Sequence, residues 1–184
     1  MSDSAETLCL RAQAGDTDAA RTLVDLTYER IYAYVRRLSG QDEDAADLTQ
    51  KTFGKAWNSL HTFGGRSSFS TWLHGIAHHT YLDWRRQQGR GAARPEEWWQ
   101  AQAAEGPSPL DNTVVRDLSR QLFALVEQLD EETRQTVHLH YYEGLSLAET
   151  AEVLGVATST VKYRLKQALE FLRTRATEPK AFLR

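Results

Sequence analysis

Polar side chains that could bind nucleic acid concentrate near the carboxyl end of the sequence, in a predicted helix over 159–175. Four of them would share one face within about one and a half turns: Lys162, Tyr163, Lys166 and Gln167. Lysine can donate to guanine O6 and N7, glutamine can pair with adenine, and a tyrosine ring can contact a thymine methyl group. A further set suits phosphates: Thr158, Ser159, Arg164 and Arg173. The pattern predicts base recognition in the major groove of duplex DNA.

A helix-turn-helix motif would position this face. Within LSLAETAEVLGVATSTVKYRLKQALEFLR (145–173), Ser146 can cap a helix that ends at Leu154. Ala151 is small where two helices must cross, and Gly155 suits the left-handed turn between them. Thr158 or Ser159 is expected to cap the second helix. Its inward stripe is predicted to be Val161, Leu165, Ala168 and Leu172.

A second candidate surface combines aromatic and basic residues over 63–90. A protein that binds single-stranded DNA needs flat side chains for base stacking and a cationic track for the backbone. The aromatic candidates are Phe63, Phe69, Trp72, Tyr81 and Trp84. The cationic candidates are Arg66, Arg85, Arg86 and Arg90. The alternative is that Trp72, Leu73, Ile76 and Trp84 belong to the core, which leaves Arg66 and the Arg85-Arg86 pair as the stronger functional candidates.

Charge is distributed unevenly along the chain, whose formal net charge is −3. Residues 61–94 hold five basic groups and one acidic group, and residues 158–184 hold seven and two. Between them, residues 95–157 hold three basic and twelve acidic groups. Two basic segments in an acidic chain indicate either two separate polyanion contacts or an ordinary solvated surface. Charge alone leaves both interpretations open.

Composition predicts an all-α fold and excludes several classes of protein. The 184 residues include 22 Leu and 22 Ala but only 9 Val and 2 Ile, which favours helices over strands. The single cysteine, Cys9, cannot form an internal disulfide, as expected in a reducing cytoplasm. The chain lacks an apolar run of about 18 residues and a basic-then-apolar leader, so membrane insertion is not expected.

Apolar periodicity predicts two small helical domains joined by a flexible linker, with the helix-turn-helix in the second. Helices are expected over 18–37, 42–58, 69–87, from 113 onwards, and over 131–142, 147–154 and 159–175. Leu26 and Trp57 are among the residues expected to face inward, and Ser68 is expected to cap the third helix. Three of the four prolines lie in 88–112, which predicts a linker. The expected boundaries are 1–90, 91–112 and 113–184.

Three ordered segments carry a family resemblance. DAADLTQKTFGKAWNSL (44–60), FSTWLHGIAHHTYLDWRR (69–86) and LSLAETAEVLGVATSTVKYRLKQAL (145–169) resemble those of extracytoplasmic-function (group IV) RNA polymerase sigma factors. The resemblance implies that region two binds the clamp helices of the polymerase β′ subunit and melts the −10 element. It implies that region four recognises the −35 element and docks on the β flap. Core RNA polymerase, promoter DNA and an anti-sigma factor are the implied partners, in the bacterial cytoplasm.

The resemblance also assigns roles to residues outside the helix-turn-helix. The implied core polymerase-binding residues are Asp47, Thr49 and Gln50. The implied −10 DNA-binding residues are Phe63, Arg66, Ser67, Phe69, Trp72, His79, Arg85 and Arg86. Family members usually carry Arg where this chain has Gly75 and Asn where it has His79, so base preference at the −10 element does not carry over.

Three rival interpretations remain at this stage. His74 and His78 stand four residues apart, a spacing compatible with a metal, but Gly75 occupies the place of the glutamate in an HExxH metalloenzyme motif. We therefore expect no metal, no cofactor and no enzymatic activity. A two-domain regulator could instead bind palindromic DNA through the helix-turn-helix without polymerase. An interaction protein whose amphipathic helices bind a regulator is the third possibility.

Overall fold

The computed structural model of the chain describes residues 3–88 and 113–176, and every regular element in those two ranges is helical. The α-helices are α1 (Ala5–Gln13), α2 (Thr17–Ser39), α3 (Asp42–Ser59), α4 (Phe69–Gln88), α5 (Thr113–Val126), α6 (Glu131–Val137), α7 (Leu147–Leu154) and α8 (Thr158–Ala176). A short 3-10 turn follows α3 (Leu60–Thr62), and a π-helix follows α6 (His138–Tyr142). The predicted all-α fold is confirmed, whereas the predicted linker over 91–112 lies outside the described residues.

Helices α1 to α4 pack around one buried core. Ile31, Tyr34 and Leu48 are fully buried in it, as the apolar periodicity predicts. Asp16 starts α2 by accepting hydrogen bonds from two backbone N–H groups at 3.0 Å, and Gly40 ends it at a φ of +83°. The apolar periodicity does not predict helix α1, because nine residues are too few to show a clear helical repeat.

Two aromatic or aliphatic residues predicted to face inward are exposed. Leu26 is 58% exposed because it lies on the flank of the apolar stripe of α2, whose buried centre includes Leu23 and Leu38. Trp57 is 48% exposed because it is rotated by about 100° from its buried neighbour Ala56. The prediction of an inward position is wrong for both, since a helical stripe buries its centre more completely than its edges.

Helices α5 to α8 surround a second, smaller core. It joins residues from α5, α6, α7, α8 and the turn after α5: Val126, Leu129, Val137, Ala151, Val161, Leu165 and Ala168. The single helix predicted over 131–142 is instead α6 followed by the π-helix, in which the N–H of Glu143 donates to the carbonyl oxygen of His138 at 3.0 Å. This wider turn carries the buried His138 imidazole to 3.1 Å from the Glu127 carboxylate.

The amino-terminal and carboxyl-terminal halves pack against each other. Helix α7 lies on α4, and Leu139, Leu145 and Val153 join the same buried cluster as Leu73 in α4. The sequence predicts two domains but does not predict this contact between them. Within residues 3–88 and 113–176, no helix is long and apolar enough to span a lipid bilayer.

Gly75 lies in the middle of α4 at a site where a larger residue fits. A Cβ atom at this position would meet no atom within 4 Å, and its φ is not in the left-handed region. Gly75→Ala should therefore raise the free energy of unfolding by up to about 1 kcal/mol, because alanine has the higher helix propensity. Urea denaturation followed by circular dichroism measures the change.

Gly155 provides the matched control for that substitution. It also has open space around its Cα, but its φ is +65°, which a side chain disfavours. Gly155→Ala should lower the free energy of unfolding by about 1 kcal/mol. Equal effects of the two alanines, in sign and size, would contradict the argument from backbone conformation.

Candidate nucleic-acid interface

The predicted helix-turn-helix is present in α7 and α8. Ser146 and Glu149 form a reciprocal cap at the start of α7: the Ser146 hydroxyl accepts from the Glu149 N–H at 3.2 Å, and the Glu149 carboxylate accepts from the Ser146 N–H at 2.9 Å. Gly155 ends α7 in the left-handed conformation. Val161 is fully buried, and Ala151 lies in the same cluster. The first cap, the turn and the helix crossing of the motif therefore match the residue types expected from the sequence.

Helix α8 presents a polar face to solvent. Lys162, Tyr163, Lys166 and Gln167 are all exposed, and so are Thr158 and Ser159. The Gln167 amide donates to the Tyr163 hydroxyl at 2.8 Å, so the two side chains orient each other. The helix begins at Thr158, so the prediction that Thr158 or Ser159 precedes it as a cap is wrong.

The two arginines predicted to bind phosphates occupy different environments. Arg173 is exposed near the end of α8. Arg164 is mostly buried, with its side chain 14% exposed, and forms an ion pair with Glu132 of α6. Its guanidinium group therefore ties α8 to α6 in this structure, a role that the sequence did not predict.

The loop before α4 is anchored by a cluster of three aromatic rings. The Phe63 and Phe69 centroids lie 5.8 Å apart, and that of Trp72 lies 5.3 and 5.7 Å from them. Phe69 is only 5% exposed, so a direct contact with DNA is corrected to a supporting role for this residue. Phe63 and Trp72 are half-buried, and Arg66, in the loop before α4, is exposed. Ser68 caps α4 as predicted, accepting from the Thr71 N–H at 3.1 Å.

The basic end of α4 is neutralised by nearby carboxylates. Arg85 lies 3.1 Å from Glu131 of α6, and Arg86 lies 2.5 Å from Asp83 one turn earlier. Asp83 also pairs with Lys55 of α3 at 3.2 Å. The hydrogen bond from Lys55 is the main cause that lowers the pKa of Asp83, and the nearby charge of Arg86 acts in the same direction. The sequence did not single out Asp83 or Glu131, although both are acidic groups beside the basic segment.

His79 and Gly75, the two departures from the family pattern, lie side by side on α4. His79 is exposed, and its Nδ1 donates to the Gly75 carbonyl oxygen at 2.8 Å. Both residues line a cleft between α4 and α7, with Trp72 on the same side and Glu152 and Val153 opposite. The α4 face predicted to contact the −10 element is thus partly covered by α7.

The predicted polymerase-binding residues of α3 do not all share one surface. Asp47 and Gln50 are exposed, and Asp47 pairs with Lys51 at 2.6 Å along the helix. Thr49 is fully buried, and its hydroxyl donates to the Ala45 carbonyl oxygen at 2.7 Å. The structure therefore removes Thr49 from the predicted binding surface and leaves Asp47 and Gln50 on it.

The two histidines that suggested a metal site, and the single cysteine, are buried in the core. The Nδ1 of His78 lies 3.1 Å from the Tyr34 hydroxyl, and burial lowers the pKa of His78 to about 4. His74 lies between the Ser70 carbonyl oxygen and Glu143. Cys9 is buried, which raises the pKa of its thiol. Among the described residues, no three His, Cys, Asp or Glu side chains form a group that could hold a metal ion.

Comparison with known families and proteins agrees with this geometry. The Sigma-70 region 2 family matches residues 23–91, and the Sigma-70 region 4 family matches residues 119–172. The chain is 33% identical over 165 residues to the RNA polymerase sigma factor YlaC of Bacillus subtilis, covering 88% of this chain and 94% of that protein. It is 31% identical over 173 residues to the ECF RNA polymerase sigma-E factor of Salmonella typhimurium, covering 90% of each.

Solved structures share the fold. CnrH, in its complex with the cytosolic domain of CnrY, superposes with a TM-score of 0.70 at 24% identity, over 96% of this chain and all of that chain (100%). The sigma factor RpoE of Bartonella quintana, in complex with the anti-sigma factor NepR, has a TM-score of 0.64 at 22% identity, over 84% of this chain and 94% of that chain. With two matched sigma-70 regions, a helix-turn-helix and near full-length relatives, this chain belongs to the ECF family of RNA polymerase sigma factors, the DNA-binding proteins that direct promoter-specific initiation of transcription.

Proposed function

We propose that this sigma factor recognises the −35 element with α8 and captures the melted −10 element with the 63–68 loop and α4. The observation that carries the proposal is the exposed polar row of α8, held on the second helix of a helix-turn-helix: Lys162, Tyr163, Lys166 and Gln167. These side chains lie within reach of one stretch of major groove, where lysine and glutamine can distinguish guanine from adenine. The acidic side chains of α7 would repel phosphates, so α8 is the helix that faces DNA.

The proposed −10 contact combines the 63–68 loop with α4, whereas the proposed −35 contact uses α8 alone. Capturing a flipped base costs a few kcal/mol of unstacking, which stacking and hydrogen bonds in a pocket must recover. The half-buried rings of Phe63 and Trp72 support a stacking surface, and the exposed Arg66 supplies a cation in the same loop as Phe63. Ser67 and His79 can contribute hydrogen bonds. Arg85 and Arg86 extend the positive charge along α4 once their carboxylate partners are displaced.

We assign each half of the chain to one sigma region. Residues 1–90 would act as sigma region two, 113–184 as sigma region four, and 91–112 as the linker between them. The matched family regions, residues 23–91 and 119–172, agree with these boundaries to within one residue, which supports the proposal. Region two would bind the β′ clamp helices, and region four would dock on the β flap. An anti-sigma factor is a further proposed partner, by analogy with the Bartonella RpoE–NepR complex.

The proposed role requires no catalytic centre, metal or cofactor in this chain, because core polymerase carries out the chemistry of RNA synthesis. We place the protein in the bacterial cytoplasm, where polymerase acts. The test is transcription from a library of candidate promoters by purified core polymerase with and without the protein. Stimulation confined to a subset of promoters is expected. Tight binding to palindromic duplex without any stimulation of polymerase would contradict the proposal.

The polymerase contact can be tested on α3. Asp47→Ala combined with Gln50→Ala should weaken binding to core polymerase, because both side chains are exposed and neither supports the core. The loss of the Asp47–Lys51 pair should cost the helix only about 0.3–0.5 kcal/mol. Competition against a labelled sigma factor measures the affinity for core, and circular dichroism checks helicity.

Glu170→Ala is the control for this pair of substitutions. Glu170 is an exposed carboxylate on α8, paired along the helix with Lys166 at 3.7 Å, and lies in the other half of the chain. Its removal should leave the affinity for core unchanged. If the α3 double variant competes as well as the parent protein, this surface does not bind the clamp.

A further inference from the structure

One exposed imidazole on α4 has its hydrogen-bonding role fixed by the backbone. The Nδ1 of His79 lies 2.8 Å from the Gly75 carbonyl oxygen, one turn earlier in the helix. A carbonyl oxygen can only accept a hydrogen bond, so the Nδ1 of His79 must carry a proton and donate it to this contact. In the neutral ring the other nitrogen, Nε2, then has no proton and is a hydrogen-bond acceptor. One tautomer of neutral His79 follows from this single contact.

His79 shares one face of α4 with Trp72 and Gly75, and all three line the cleft between α4 and α7. Trp72 and His79 are seven residues apart, which places them about 10 Å apart along the helix axis. Gly75 lies between them, and a Cβ atom there would meet no atom of the described residues within 4 Å. Trp72 is half-buried, whereas His79 is exposed. The gap between the two rings can therefore admit a flat molecule, with a stacking surface at one end and an acceptor at the other.

Four ionisable side chains of the described residues lie beside His79 or line the same cleft. On α4, Asp83 follows one turn later, and the centroid of the buried His78 ring lies 6.1 Å from that of His79. On α3, Lys55 lines the cleft, but its ammonium group pairs with Asp83 at 3.2 Å. On α7, Glu152 lines the opposite wall. The cation of the cleft is thus engaged by a carboxylate, and the Nε2 of His79 is left as an acceptor for a ligand.

We propose that His79 selects adenine or cytosine over guanine or thymine at one position of the melted −10 element. The N6 amino group of adenine and the N4 amino group of cytosine can each donate to the Nε2 lone pair. Guanine and thymine carry the carbonyl oxygens O6 and O4 at the equivalent positions, where two acceptors would face each other. This inference rests on the proposed function of α4 and deepens it, because it names the class of base that one residue selects.

A proton on Nε2 would reverse this preference. An imidazole gains its second proton between about pH 8 and pH 5, and both ring nitrogens are then donors. The charged ring would donate to O6 or O4 and could no longer accept from an amino group. The carboxylates of Asp83 and Glu152 favour the charged ring, whereas the ammonium group of Lys55 opposes it. Because a purely structural role of His79 would not link base preference to pH, this dependence is the signature of a direct contact.

The test is selection from a promoter library with a randomised −10 element, using holoenzyme reconstituted from core polymerase and the full-length protein. At pH 8 the parent should favour adenine or cytosine at one position by about three- to tenfold, the range expected for one hydrogen bond. At pH 6 this preference should shrink. His79→Asn, whose amide both donates and accepts, should show a weaker preference that is equal at the two pH values. His79→Lys, which can only donate, should favour guanine or thymine at the same position.

His61→Gln is the matched control, because His61 is an exposed histidine of the same half of the chain, in the 3-10 turn after α3. Its removal should leave the parental preference unchanged at both pH values. Circular dichroism checks that each variant is folded, which is expected because both histidines are exposed.

Two results would overturn the inference: the same bases selected with the same pH dependence by His79→Asn and the parent, or a His79→Lys variant that does not favour guanine or thymine. Either result, obtained with a holoenzyme that still initiates only at particular promoters, leaves the proposed function intact. A parent protein that confers no promoter preference on core polymerase would instead reject the promoter role, and the base selection with it.

Discussion

At pH 5 the free energy of unfolding should be lower than at pH 7 by about 2 kcal/mol on account of one buried side chain, His78. This histidine is 4% exposed, inside the four-helix core of the amino-terminal half, with its Nδ1 3.1 Å from the Tyr34 hydroxyl. Burial is the main cause that lowers the pKa of His78 to about 4; the neighbouring His79 acts in the same direction, and Glu131 opposes both. The neutral imidazole shares a hydrogen bond with the Tyr34 hydroxyl.

The direction of the effect follows from proton binding in the two states. The unfolded chain binds a proton at His78 with a pKa of about 6.5, whereas the folded chain does so only near 4. The unfolded state therefore holds more protons between those values, and stability falls as the pH falls through this window. Above about pH 6.5 the contribution of the neutral imidazole is fully present. Urea denaturation at pH 7 and pH 5, followed by circular dichroism, measures the loss.

Two variants isolate the contribution of His78. His78→Asn keeps an acceptor near the Tyr34 hydroxyl but does not titrate, so its loss of stability between pH 7 and pH 5 should be about 2 kcal/mol smaller than that of the parent. His61→Gln removes an exposed histidine and should leave the parental loss unchanged. An equal loss in His78→Asn and in the parent would show that the buried imidazole does not control the acid sensitivity.

The helix-turn-helix could be predicted almost completely from the sequence because its determinants are local. Ser146, Ala151, Gly155 and Val161 each meet a requirement set by a cap, a close crossing, a left-handed turn or a core contact within sixteen residues. The exposed face of α8 follows from the same periodicity. Thr49 shows the limit of carrying over a motif: its segment lies within the matched sigma-70 region 2, but the helix turns that side chain into the core.

The contact between the halves could not be predicted because it joins residues far apart in the chain. Arg37 and Glu143 are separated by 106 positions, and no local pattern relates them. A signal was nevertheless present in the charges: the acidic segment 95–157 lies between two basic ones. Charge alone leaves open whether the basic segments contact an external polyanion or only solvent. In the structure, Glu131 of the acidic segment pairs with Arg85 of the first basic segment, so part of that charge is compensated internally.

Gln167→Ala should weaken recognition of a single base pair in the −35 element by about 1–3 kcal/mol and relax the preference there. Gln167 is exposed on α8, and its amide donates to the Tyr163 hydroxyl at 2.8 Å, which orients it on the face proposed to meet the major groove. Tyr163→Phe keeps the ring but removes that hydroxyl, so it should relax the same base pair to a smaller extent. Selection from a promoter library with variable −35 sequences, using the reconstituted holoenzyme, measures both.

Arg173→Ala is the matched contrast, because its exposed guanidinium lies nearly two turns beyond Gln167 and is proposed to contact only phosphate. Its removal should weaken all −35 sequences alike and lower the slope of log affinity against log salt concentration by about one. Base recognition and phosphate contact therefore predict different patterns across one library: a loss confined to one position for Gln167→Ala, and a uniform loss for Arg173→Ala. The same uniform loss for both variants would show that α8 holds the duplex without reading its sequence through Gln167.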